Sequence, residues 1–250
     1  MTSKRKTRAT SYQAHNHVES TNNQNSFHTS SQPKKAVVLL PKSLKQEEYI
    51  DLLTDRKKLI IFATGPAGTG KTMLAVMAAI RAYKEGVVSK IIITRPAVAI
   101  EDEQHGFLPG DLNAKMAPWT RPIMDVIGEY YNSKEVESML NEQIIEISPL
   151  AYMRGRTFKR SWIIFDEAQN ATVNQMMAIL TRLGDGTKMV VTGDLHQMDR
   201  KFAENNGLTD FLNRLERNNS RLIDTVNFSN KDVQRSDAVR EVLKLYDQKQ

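Results

Sequence analysis

The octapeptide GPAGTGKT, Gly65 to Thr72, constrains the fold of this 250-residue chain more than any other stretch. It follows the apolar run KLIIFATG and precedes a helical pattern, so it lies where a buried strand turns into a helix. Its glycines let the backbone curl until successive N–H groups point inward, and the N-terminus of the following helix adds partial positive charge. Gly65, Pro66, Ala67, Gly68, Thr69, Gly70, Lys71 and Thr72 together read as a cradle for a polyphosphate. Lys71 is placed to reach the β- and γ-phosphates and the Thr72 hydroxyl to coordinate Mg²⁺.

A turn of this kind needs a sheet around it. KLIIFATG, KIIITRPA, QIIEISPL, SWIIFDEAQ and KMVVTGD are continuous rather than alternating apolar runs, as expected of strands buried on both faces. Helical patterns lie between them, at Thr72 to Lys84, Pro118 to Tyr131, Ser133 to Asn141 and Asn174 to Leu183, and Gly184 to Gly186 reads as a turn. The expected fold is α/β: a three-layer P-loop NTPase with a mostly parallel sheet and helices on both faces.

Composition limits what such a domain does. Hydrophobic residues are 40% of the chain and charged residues 26%, enough for a sizeable core. With no cysteine, disulfides, thiolate zinc sites and cysteine nucleophiles are excluded, and a reducing compartment is expected. No apolar run is long enough to span a membrane and no signal peptide is visible, so a cytoplasmic location follows. The net charge of +6 is unevenly spread: residues 1–35 carry six cations against Glu19, or +5, leaving +1 for residues 36–250. Those first 35 residues, polar and almost free of aliphatics, read as a disordered basic tail, and residues 36–250 as one domain.

The second half of a nucleotide site appears at WIIFDEAQN. Trp162 to Phe165 deliver Asp166 to the C-terminal end of a strand, the edge where α/β sheets bind ligands, and Asp166 reads as a Mg²⁺ ligand. The adjacent Glu167 is a candidate general base for activating water. The strand MVVTGD is followed by Gln197, an uncharged side chain suited to sensing the γ-phosphate or orienting water. Cradle, metal carboxylate, base and sensor together describe an NTP hydrolase.

GPAGTGKT, ITRPAV, GFLPGDL, SPLAYMRGRTF, IIFDEAQN, LTRLGDGTKMVVTGDLHQMD and DVQRSDAV, in this order, resemble the PhoH-like proteins, a RecA-like ATPase group related to superfamily 1 helicases. The likeness runs from about Leu44 to Tyr246. It implies ATP as the nucleotide, activity on RNA or single-stranded nucleic acid, and ring-shaped homo-oligomers, a hexamer being one closed form. It also assigns Gln46 to the reading of adenine; in KQEEY alone that residue reads as a solvated helix position. Longer relatives carry further domains that these 250 residues do not show, and the short form resembles those of bacteriophages, implying a bacterial host cytoplasm. Asn206 stands where the family pattern has serine.

Nucleic acid crossing the C-terminal edge of the sheet would meet Arg95 in TRPAV, as a phosphate contact, and Phe107 in HGFLPGDL, as a stacking face. Arg154 and Arg156, in MRGRTFKR, either line a channel or pair with acidic neighbours at a subunit interface. Because one RecA-like domain does not enclose its nucleotide, an arginine is expected from a neighbouring subunit: Arg235, with Arg182 in reserve. The alternative for Arg235 is a surface helix residue paired with Asp232. The leading reading is an ATP-driven motor on RNA or single-stranded DNA. A nucleotide-dependent switch acting on a protein partner is the alternative, and Glu167 disfavours a third reading, a small-molecule kinase.

Overall fold

The computed structural model describes residues 36–96, 112–198, 205–235, 238–239 and 241–242. The N-terminal tail and Phe107 lie outside them. Among the described residues six strands form one sheet: β1 (Ile60–Thr64), β2 (Lys90–Thr94), β3 (Ile145–Ile147), β4 (Ser161–Phe165), β5 (Lys188–Gly193) and β6 (Ile223–Asn227). Their spatial order is β3-β2-β4-β5-β1-β6 and every pairing is parallel. All C-terminal strand ends therefore meet on one edge, where the loop after β1 and Asp166 after β4 converge.

The continuous apolar runs are explained by two cores. Ile61, Ala63, Ile91, Ile93, Ile164 and Val190 point to one face, joined by α1 (Leu44–Thr54), α2 (Lys71–Lys84), α3 (Leu112–Gly128) and α4 (Ser133–Asn141). Phe62, Ile92, Ile163, Phe165, Met189 and Val191 point to the other, under α5 (Val173–Leu180) and α6 (Gly207–Glu216). Adjacent residues of a strand thus enter opposite cores and both are buried, each buried Val, Ile, Phe or Met side chain contributing about 1.5–3 kcal/mol. Helix, sheet and helix make the three expected layers.

Helix boundaries and one strand differ from expectation. The helix expected from Pro118 begins at Leu112, so its prolines lie inside it rather than at its first turn. The helix expected to reach Leu183 ends at Leu180, because the Arg182 carbonyl accepts from Phe158 N–H (2.9 Å) and Leu183 pairs with Phe158, pulling the chain out of the helix. Strand β6 has no counterpart among the expected runs. It lies on the sheet edge and mixes Asp224, Thr225 and Asn227 with its apolar residues, so it lacks the all-apolar signal of its neighbours. Among the described residues no helix is long and apolar enough to cross a membrane.

Candidate active site

The loop from β1 to α2 has the geometry its glycines predict. Gly68 and Gly70 adopt φ of 82° and 83°, the left-handed region that strains any side chain. A Cβ on Gly68 would also stand 2.7 Å from Arg235 Nε. The Lys71 ammonium lies within the loop, donating to the carbonyls of Gly65 (2.6 Å) and Pro66 (2.7 Å), with Thr69 Oγ1 at 3.3 Å. Burial lowers its pKa from the ordinary lysine value, opposed by the negative charges of Asp194, Asp166 and Glu167.

Asp166 and Glu167 face this lysine from the end of β4. The Thr72 hydroxyl donates to Asp166 Oδ1 (2.9 Å), and Thr192, at the end of neighbouring β5, donates to the same oxygen (2.5 Å). Glu167 adopts φ 54° and ψ 39°, a left-handed conformation uncommon for a residue with a side chain and typical of functional sites. One of its oxygens accepts from the Gln169 amide, and the other lies 3.9 Å from Arg95 Nη2. Ala67, Gly68, Gly70, Lys71, Thr72, Met73, Asp166, Glu167, Gly193, Asp194 and Gln197 line a single open cleft of about 270 Å³. Gln197 is exposed at its rim, on the turn after Asp194.

Gln46 is not a solvated helix residue. It is 1% exposed, its Nε2 donates to Thr69 O (3.0 Å), and its Oε1 accepts from Lys42 N–H (2.8 Å). The side chain fastens α1 to the phosphate loop, and Tyr49 adds a second fastening by donating to Lys71 O (3.2 Å). Most of the Gln46 amide is therefore engaged by protein.

The arginines sit in different surroundings. Arg235 lies against its own chain's loop, Nη2 donating to Ala67 O (3.3 Å). Arg235 does not pair with Asp232 on a helix, since Asp232 accepts instead from the Ser229 N–H and hydroxyl. Arg182 does not line the cleft; it donates to Arg156 O (3.4 Å) and Thr181 Oγ1 (3.0 Å). Arg156 forms a two-pronged ion pair with Glu146 of β3 and stacks over Phe158, 4.5 Å from the ring centre. Arg154 is exposed. Arg95, expected as a nucleic-acid contact, stands beside Glu167.

Sequence reasoning misses Thr192, Asp194 and Gln169 as parts of the site. Each joins β4 to β5, and only the pairing of those two strands brings them together. The TGD and DEAQ ends are visible in the sequence, but their adjacency is not.

A glycine-rich loop after β1, two carboxylates after β4 and a polar turn after β5 line one cleft. The PhoH-like protein family matches residues 38–247. This chain belongs to that family. It is 42% identical over 206 residues to a PhoH-like protein of Bacillus subtilis, covering 82% of this chain and 63% of that protein. It is 39% identical over 210 residues to Protein PhoH of Escherichia coli K12, covering 83% and 58% respectively. The PhoH-like chain thus spans about three-fifths of the length of these curated relatives. Its fold is also that of the large terminase from a thermophilic bacteriophage, with a TM-score of 0.51 at 12% identity, covering 82% of this chain and 50% of that one. The PhoH-like domain is accordingly a P-loop ATPase fold with a RecA-like parallel sheet.

Proposed function

We propose that the protein is a Mg²⁺-dependent ATP hydrolase that works as a motor on RNA or single-stranded DNA, as a homo-oligomer. The observation that carries this reading is the Glu167 carboxylate lining the same cleft as Lys71, Thr72 and Asp166. A phosphate cradle alone serves transfer as well as hydrolysis, whereas a carboxylate beside the metal aspartate is what water activation requires.

The chain's own residues divide the work. Loop N–H groups and Lys71 hold the β- and γ-phosphates, and Glu167 takes the proton from the attacking water while Gln197 at the rim orients it. Thr72 and Asp166 offer a hydroxyl and a carboxylate oxygen, donors that suit a hard cation retaining several waters. Bound there, Mg²⁺ would neutralise charge on the phosphates. Arg235 supplies positive charge over its own loop. Gln46 supports the adenine end through the family resemblance, with its amide acting on the loop first. Arg95, within 3.9 Å of Glu167, is where a polymer phosphate would be sensed by the base.

The test is ATP hydrolysis with and without single-stranded RNA and DNA, with mass measured by light scattering. Hydrolysis raised several-fold by one polymer, in an oligomer, is expected. Hydrolysis indifferent to both would favour a switch acting on a protein partner.

A further inference from the structure

Gln169 is 1% exposed and its side chain joins the two halves of the cleft. Its orientation is fixed from one side. The Asp194 backbone N–H can only donate, and it donates to Oε1 (3.1 Å), so the NH₂ end must face the other way. There Nε2 donates to Glu167 Oε2. The residue's own carbonyl accepts from Asn206 Nδ2 (2.5 Å), and Asn206 also caps α6 through Thr209 N–H (2.8 Å). One buried amide therefore binds the carboxylate after β4 to the turn after β5, and its backbone is held by the start of α6.

Glu167 needs such a restraint. Its backbone sits in the left-handed region, the cleft lies open beside it, and Arg95 is 3.9 Å from its free oxygen. Without the amide, nothing else described donates to Oε2, and the carboxylate is free to swing toward the guanidinium. Resting on the hydrolase reading above, we infer that Gln169 is a positioning residue: it holds one oxygen of Glu167 so that the other faces the attacking water, and ties that orientation to the Asp194 turn bearing Gln197. A 1 Å misplacement of a reacting group costs about 10²-fold in rate.

Three variants of the full chain test this. Gln169→Glu keeps an acceptor for Asp194 N–H and removes the donor to Glu167. Gln169→Met keeps volume and removes both. The double variant Glu167→Gln/Gln169→Met asks whether the amide acts through the base. For each single variant kcat should fall about 10- to 100-fold while KM and the affinity for a fluorescent ATP analogue stay within about twofold. Melting temperature, measured alongside, should remain that of a folded protein. The double variant should be no slower than Glu167→Gln alone, because a carboxylate already replaced has no orientation to lose. Wild-type kcat in Gln169→Glu overturns the inference, as does loss of analogue affinity in parallel with kcat, which marks a structural role, or a double variant slower than Glu167→Gln by the full single-variant factor. If wild type itself fails to hydrolyse ATP, the hydrolase reading has failed instead.

Discussion

At the scale of single residues, the cleft is built by charges that the fold forces together. Lys71 is surrounded by loop carbonyls and faces three carboxylates, which oppose the pKa lowering that burial imposes. Removing it takes a charged donor from the phosphates, and hydrogen bonds to charged groups contribute about 1.5–3 kcal/mol each. Lys71→Ala should therefore bind ATP about 10- to 100-fold more weakly, measured by equilibrium titration with a fluorescent analogue. What is readable residue by residue follows from local spacing: GPAGTGKT and the carboxylates after WIIF are self-contained signals. Gln46 is not, because its burial depends on a loop 23 positions away, and Arg156 is not, because its partner Glu146 lies on β3, ten positions earlier. Side chains whose role is decided by tertiary contact look like solvated ones in a short window of sequence.

At the scale of elements, two packing contacts hold the cleft's supports. Gly207 opens α6 where a Cβ would collide with Thr172 O and lie 2.8 Å from Met176 Cβ. Gly207→Ala should destabilise the protein by about 1–3 kcal/mol through overpacking, seen as a lower denaturant midpoint. On the opposite edge of the sheet, Lys188 at the start of β5 donates to the carbonyls of Leu53 (2.7 Å) and Asp55 (2.7 Å) at the end of α1. Burial pushes its pKa down from 10.5 to about 8. The folded protein releases that proton from about 8, whereas the unfolded chain keeps it to about 10.5. The unfolded state binds more protons across that window, so unfolding free energy should rise with pH there. Denaturant titrations at stepped pH should show this rise in wild type relative to Lys188→Met, and equal slopes would contradict it. Strands β1, β2, β4 and β5 are legible because burial on both faces leaves an unbroken apolar run, and β3 because Ile144, Ile145 and Ile147 still stand out in QIIEISPL. Edge strand β6 is hidden by its polar positions, and no local signal encodes the order that places β5 between β4 and β1.

At the scale of the whole molecule, charge and chemistry are separated along the chain. Residues 36–250 carry about one net positive charge and residues 1–35 carry +5. If the proposed polymer contacts draw on that tail, deleting residues 1–35 should flatten the dependence of log affinity on log salt, each lost phosphate contact on a single strand removing about 0.7 from the slope. An unchanged slope would place the contacts in the domain. The cleft itself is tested most directly by single-turnover hydrolysis of ATP with Mg²⁺ by wild-type protein and Glu167→Gln, with ATP binding measured on the same samples. Wild-type protein should hydrolyse ATP, and Glu167→Gln should bind it with near wild-type affinity yet hydrolyse it about 10²- to 10⁴-fold more slowly, the loss expected for a general base. Turnover by Glu167→Gln at the wild-type rate would contradict the assignment.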